Sequence, residues 1–456
     1  MATKGVRDQG AALAAGLVAL AALQGCASHS EQVLPVRMAL DAGNPREAIR
    51  LLNQKMDVAT DADLPVDMGS DHALYVLDRA SVQQSLARFD RSKHDLEAAD
   101  KAIDMLDLAH DARDTIGEYV FSGSSGKYQA PPYEKLLVNT LDMLNYLELR
   151  DLDGARVEAR RLAVMQKYVS DELHETDNTV LGLGAFLAGL TFEESDAPDE
   201  ALRWYDTSLE FAGFRALKDP VRRLLQRGQY RSPRLRELES APAPPPPEAN
   251  GQGEIVFVVG YGRVPHKVPE RIPIGLALTY ASGALSPYDV ARANRIAAQG
   301  LVTWVNFPTL GREQGGYSVP ECVLDGGAVP LEEAVNVTEQ VRSEWKKIEG
   351  KIMVSAITRM IARYAAGSLA GSAAGGKGNG DLFSALLSLG TQATLTALDT
   401  PDTRSWETLP ARVAVARVRV PAGHHAVRID ARGVIRTVDV AVESGGWAVV
   451  SLMALR

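Results

Sequence analysis

The chain has 456 residues, 46% hydrophobic and 23% charged, an ordinary balance with room for two or three domains that each bury a core. Lys plus Arg number 49 against 58 Asp plus Glu, a net charge of −9, which argues against whole-protein affinity for nucleic-acid phosphates. Two cysteines exclude a disulfide framework and a four-thiolate zinc site. The composition also excludes a collagen-like, disordered or polytopic membrane chain.

Lys4 and Arg7 precede an apolar run from Ala11 to Leu23, the positive-then-apolar order of a secretory signal. That run is 13 residues long, too short to span a hydrocarbon core of about 30 Å as a helix. Leu23-Gln24-Gly25-Cys26 follows at once. It resembles the lipobox of bacterial lipoproteins, which implies acylation of Cys26 and removal of residues 1–25. Several acyl chains, at about 0.8 kcal/mol per buried CH₂, then hold the amino terminus in a bilayer. Position 27 is Ala rather than Asp, which by the same resemblance directs the protein to the outer membrane, facing the periplasm. Cys322 is left without an intrachain partner and reads as an apolar core thiol.

Residues 26–238 read as helix pairs. Gly43-Asn44-Pro45 is a turn with a capping Asn and a Pro at the first helical position, where its missing N–H costs nothing. Two further helices are expected over 73–89 and around 96–106. Leu136, Leu137, Leu141, Leu144 and Leu147 form a helical stripe, and Ala155, Ala159 and Leu162 face back across a turn at Asp151–Gly154. A last pair covers 180–211. These units resemble tetratricopeptide repeats. Ala48, Ala155 and Ala201 open the second helices, Tyr146 and Phe192 lie nine residues before the last two, and Gly189 lies twelve before Ala201. The spacing from 155 to 201 is 46 rather than the roughly 34 of the repeat, and Ser92 must stand in for an alanine. The array is therefore degenerate, with insertions. Stacked pairs bury the face that no single pair can bury alone, and such arrays usually bind peptides or proteins. The Ser122–Lys127 insertion reads as a connector, and the acidic run Asp104, Asp107, Asp111, Asp114 and Glu118 as a solvated face. Six arginines between 222 and 236 read as a solvated helix face.

Residues 239–253 are rich in Pro and mark a linker. Beyond it, Glu254–Gly260 is apolar on both faces, the pattern of a central strand. A second strand is expected over 272–280, a helix from Ser286-Pro287 to Ala298, a strand over 301–307, and a long helix from Glu332 to about Tyr364. Gly371–Gly378 approaches a phosphate-binding loop but lacks the hydroxyl residue and the preceding strand, so it reads as a loop between helices. The segments 352–370 and 381–398 are apolar enough for a buried helix pair, a membrane surface or an oligomer contact. The tail reads as strands over 412–420, 426–430 and 434–442, with Gly445-Gly446 making a hairpin to Trp447–Leu452.

The segment from Pro131 to Arg161, the motif Asp402-Thr-Arg-Ser-Trp-Glu-Thr-Leu-Pro410 and Ala416–Gly423 together resemble a family of uncharacterised Gram-negative outer-membrane lipoproteins with degenerate tetratricopeptide-like repeats. The likeness covers most of the mature chain. It implies no reaction, and by its association with other small envelope lipoproteins it implies a part in envelope assembly.

No His-Glu-x-x-His or Gly-x-Ser-x-Gly pattern occurs among the eight histidines and the serines. His424-His425 reads as a turn pair. Asp402, Arg404 and Trp406 read as a structural or ligand loop, with Arg404 pairing Asp402 or Glu407 and Trp406 plugging a helix–sheet junction. The expected fold is multidomain α plus α/β: a degenerate tetratricopeptide-like array, a mixed α/β region over 254–400 with long apolar helices, and an antiparallel β subdomain over 401–456. The expected function is a lipid-anchored periplasmic scaffold or adaptor, without catalytic, metal or cofactor residues, that binds a protein partner on its repeats. A homo-oligomeric envelope component and an enzyme whose site forms only in three dimensions are the alternatives.

Overall fold

The same turn closes successive helix pairs. The computed structural model describes residues 27–69, 71–105, 128–171, 179–280, 285–298, 304–315, 318–374 and 400–456. Within them, α1 (His29–Asp41) pairs with α2 (Pro45–Lys55), α3 (His72–Ser85) with α4 (Phe89–Ala102), α5 (Pro132–Glu148) with α6 (Leu152–Asp171), and α7 (Leu181–Glu194) with α8 (Pro198–Phe211). Each first helix ends on a residue in the left-handed region: Gly43, Ala87, Arg150 and Asp196, with φ of 72°, 55°, 57° and 56°. The next N–H then bonds five residues back, as in Asn44 to Ala39, Arg88 to Gln83, Asp151 to Tyr146 and Ala197 to Phe192. This satisfies carbonyls that the helix end would otherwise leave open.

Five residues beyond each left-handed position stand Ala48, Ser92, Ala155 and Ala201, all fully buried. A small side chain there lets the two helices of a pair approach, and Ser92 fills the place expected of it. Its hydroxyl accepts a hydrogen bond from Asn145 Nδ2 at 3.0 Å. Tyr146 and Phe192 contribute the carbonyls of the last two turns. A Cβ on Gly189 would lie 2.3 Å from the ring of fully buried Tyr205. Gly189→Val should therefore destabilise the protein by about 2–3 kcal/mol through overpacking. Gly350→Ala, where an added Cβ meets nothing within 4 Å, should gain up to about 1 kcal/mol of helix propensity. Urea midpoints of the two variants check both signs.

After α9 (Lys218–Leu225), α10 (Pro233–Glu239) and the Pro-rich linker, the chain enters a β-sandwich. A two-residue ladder between β1 (Asp104–Met105) and β2 (Gln129–Ala130) is separate from it. One sheet has the order β12-β3-β9-β8 and the other β11-β10-β6-β7. The strands are β3 (Gln252–Tyr261), β6 (Glu321–Leu324), β7 (Gly327–Ala328), β8 (Glu332–Asn336), β9 (Arg412–Pro421), β10 (Gly423–Ala431), β11 (Val434–Val442) and β12 (Trp447–Ala454). Ile255, Phe257 and Val259 of β3 face the second sheet, against Cys322, Val427 and Ile429. Val256 and Val258 face the helical array. Burial on both faces explains the unbroken apolar run of β3.

Three expectations change here. Strands from 254–400 and from 401–456 share both sheets, so the two intervals build one sandwich rather than a region with a subdomain packed on it. β11 and β12 form no hairpin: β12 runs parallel to β3 in the other sheet. The reason is that β11 alternates between wet and buried faces, whereas β12 is buried from Ala448 to Ala454 and packs under α3 and α5. Finally, Glu332–Asn336 is strand β8, paired with β9. The long helix starts only at Val337, where Asn336 Oδ1 caps Glu339 N at 3.2 Å.

Between β3 and β6, and again after β8, the chain builds a smaller unit. It comprises β4 (Lys267–Pro273), α11 (Ile274–Tyr280), α12 (Pro287–Ala298), β5 (Trp304–Leu310) and α13 (Val337–Ala374). The strand expected over 272–280 is mostly helix α11; the ribbon lies earlier, where β4 pairs with β5. Ile272, Ile274, Val305, Phe307, Met353 and Ile357 form its core. No helix among the described residues is long and apolar enough to cross a membrane. Gly371–Ala374, expected as loop, is the last turn of α13; Cys26, the Ser122–Lys127 insertion, the acidic side chains from 104 to 118, residues 375–378 and the segment 381–398 lie outside what is described.

Candidate functional site

One face of the array is covered by the chain itself. Residues 403–411 have no regular secondary structure beyond turns, yet every one is buried. They form a strap laid across α1, α3 and α5. A buried loop must find partners for its polar groups, and this strap finds them on helix side chains.

Thr403 Oγ1 accepts from Ser30 N at 3.0 Å. Arg404 forks onto Asp402, Nε to Oδ1 at 3.0 Å and Nη2 to Oδ2 at 2.8 Å, the first of its two expected partners. Trp406, 1% exposed, donates its backbone N–H to Glu134 Oε1 at 3.2 Å and its indole Nε1–H to Ser81 Oγ at 3.1 Å. Glu407 pairs with Arg37. Thr408 donates from N and Oγ1 to Asp78 Oδ1, at 3.1 and 2.8 Å. The strap then joins the sandwich: Leu409 O accepts from Val264 N at 3.1 Å.

Electrostatics under the strap are unusual. Burial pushes Asp78 up to about 6, against the charge of His29 and the hydrogen bonds from Thr408. It pushes Glu134 up to about 7, against Tyr128 and Trp406 N. It pushes Glu407 up to about 7, with His29 and Arg37 opposing and Asp78 adding. Burial lowers His29, but the bond to Asp71 and the charges of Glu407, Asp71 and Asp78 outweigh it and raise the imidazole overall. His29 Nδ1 lies 2.9 Å from Asp71 Oδ2, and the ring stacks on Tyr75 with centroids 5.3 Å apart. His29 Nε2, Asp78 Oδ2, Ser405 Oγ and Glu407 Oε1 are buried and meet no hydrogen-bond partner among the described residues. Asp78 and Glu407 are thus neighbouring carboxylates, but the strap seals them. A narrow apolar cleft of about 40 Å³ lies beside Trp406, lined by Pro131, Val264, Leu310, Trp345 and Ser405.

A second junction ties array to sandwich. Arg417 of β9 donates to Glu193 of α7 at 2.8 and 3.0 Å, to Glu254 of β3 at 2.7 Å and to Tyr205 Oη at 3.1 Å. Arg223 reaches Glu254 at 2.8 Å. Glu193, Glu194 and Glu254 bring carboxylate oxygens within 4.8 Å of one another, the one trio of possible cation ligands among the described residues. Arg417, Arg223 and Arg419 already oppose those charges and would repel a cation, so the trio is an ion-pair junction. Burial, with Glu193 close by, pushes Glu194 up to about 8.

Ala48, Ala155, Gly189 and Ala201 are therefore packing positions inside helix pairs, Tyr146 and Phe192 shape the turns, and only Asp402, Arg404 and Trp406 meet at the strap. The arginines at 222–236 are not a free basic face: Arg223 and Arg234 bond Glu254 and Asp206. His425 lies in β10 and bonds Asp325 at 2.7 Å. Sequence reading missed Arg37, Asp78, Ser81 and Glu134. A signal existed: α3 is buried on nearly every side, yet carries Asp78, Arg79, Gln83 and Gln84, and a polar residue inside an otherwise apolar helix needs a buried partner. No protein-family model, curated protein or solved structure matches this chain.

Proposed function

We propose that the protein is a lipid-anchored adaptor of the outer membrane, facing the periplasm, that holds a protein partner by its helical array during envelope assembly. The observation that carries the reading is the strap. Helices α1, α3 and α5 already grip an irregular segment by its side chains, which is the task of a peptide-binding array. Leu23-Gln24-Gly25-Cys26 supports the anchor, and the family resemblance supports the envelope setting.

In cells, Cys26→Ser should move the protein from the membrane to the soluble fraction; unchanged membrane attachment of the variant sinks the anchor. Crosslinking followed by mass spectrometry should recover one discrete foreign partner on residues 33–220. A homo-oligomer is the second reading, supported by Leu276, Tyr288 and Trp304, which are 44%, 72% and 45% exposed on the small helical unit. Self-crosslinks alone, centred there, would favour it.

A further inference from the structure

The strap is held as a separate peptide would be. It adds no regular strand or helix, and among the described residues it bonds backbone to the sandwich at its carboxyl-terminal end, where Leu409 O accepts from Val264 N at 3.1 Å and Ala411 N donates to Gly262 O at 3.3 Å. Its specific contacts come from side chains of three different helices: Arg37 of α1, Asp78 and Ser81 of α3, and Glu134 of α5. They read a definite pattern: an indole at Trp406, a carboxylate at Glu407 and a hydroxyl at Thr408, while the backbone N–H of Ser30 meets a further hydroxyl at Thr403. The indole contact is specific in a way an aliphatic side chain cannot copy, because its N–H needs the acceptor that Ser81 supplies.

The fit is also incomplete. Asp78 Oδ2 and His29 Nε2 on the array, and Ser405 Oγ and Glu407 Oε1 on the strap, are buried without a hydrogen-bond partner among the described residues. A buried polar group left without a partner weakens the occupied state. An occupant that offered Asp78 a second donor would bind the same groove better than the strap does.

We infer that the groove of α1, α3 and α5 is a peptide site which this chain fills with its own residues 402–410, and which a partner opens by displacing them with an extended segment of the same hydroxyl–x–x–Trp–acid–hydroxyl pattern. The inference rests on the adaptor reading and makes it specific. The free protein is self-occupied, the docked protein has its strap released, and the strap's sequence is the template for the partner's.

The test uses the full chain made lipid-free by Cys26→Ser and a fluorescent synthetic peptide with the sequence of residues 401–411. The peptide should bind the Trp406→Ala protein at least tenfold more tightly than the protein with its native strap. The same peptide with alanine at its tryptophan should bind neither. Failure to bind a Trp406→Ala protein that keeps its far-ultraviolet circular dichroism and a cooperative urea transition overturns the inference, as does equal binding to both proteins. Should Trp406→Ala not fold, hydrogen exchange on the native-strap protein decides. The amides of Trp406 and Thr408 should open at least tenfold faster than those of Phe257 and Val258 in β3, and opening only together with β3 overturns the inference. The adaptor reading fails separately: a foreign partner crosslinked only to α2, α4, α6 and α8 leaves it standing and overturns the groove.

Discussion

Arg417→Met should lower the unfolding free energy by about 3–5 kcal/mol, because removing one member of a buried ion network strands the charges it met. Arg417 is 4% exposed, and Glu193 and Glu254 beside it are 11% and 7% exposed. Its guanidinium is held well above the usual range: burial opposes the charge, but Glu193 and Glu254 outweigh that opposition. Arg223 and Arg419 still reach Glu254 at 2.8 and 3.4 Å, whereas Glu193 keeps the more distant Arg223 at 3.5 Å and the Tyr205 hydroxyl, so the larger loss falls on Glu193. Adding Glu193→Gln to Arg417→Met should therefore recover part of the deficit, and the cycle of urea midpoints reads the coupling directly. A loss below about 1 kcal/mol for Arg417→Met would mean that the junction relaxes into water and does not tie array to sandwich.

Stability should be greater near pH 5.5 than at pH 8, the reverse of a protein held by ionised carboxylates. Asp78, Glu134 and Glu407 are raised from ordinary carboxyl values to about 6, 7 and 7. Burial, with Glu158 adding, raises Asp142 to about 8. A carboxyl whose folded pKa exceeds its unfolded pKa binds its proton more tightly in the folded state, so acidification through that interval stabilises the fold. At 1.36 kcal/mol per unit, Asp78 and Glu134 could each contribute up to about 3 kcal/mol. His29, also raised, acts with the same sign: its contribution is present below about 6.5 and is lost as pH climbs through its folded value. His266 opposes them. Burial and the charges of Arg37 and Arg263 lower it to about 4, so it favours the unfolded chain as pH drops below about 6.5. Asp402, held low chiefly by Arg404 despite its burial, loses its contribution only as pH falls below about 4.

The profile should consequently peak near pH 5. Melting temperatures at pH 5.5 and 8.0, at one ionic strength, check the sign. Asp78→Asn and Glu134→Gln should flatten the profile, and a higher melting temperature at pH 8.0 in the parent protein would refute the assignment.

What the chain decides by itself is local. Glycine, Asn and Pro at 43–45 set the first turn because their conformational limits act within a few residues. The small residues at 48, 92, 155 and 201 are legible because a helix pair repeats its crossing at a fixed distance from its turn. The unbroken apolar run of β3 reveals burial on both faces, although not what covers each face. Partners distant in sequence were not legible. β12 sits beside β3 rather than β11 because the array offers it a dry face, which no pattern in residues 434–454 states. The strap is the sharpest case. Asp402, Arg404 and Trp406 stand out as a motif, but their surroundings come from Ser30, Arg37, Asp78, Ser81 and Glu134, more than 250 positions away. Only the folded array brings those groups together, and only by excluding water does it turn ordinary carboxylates into proton-holding ones.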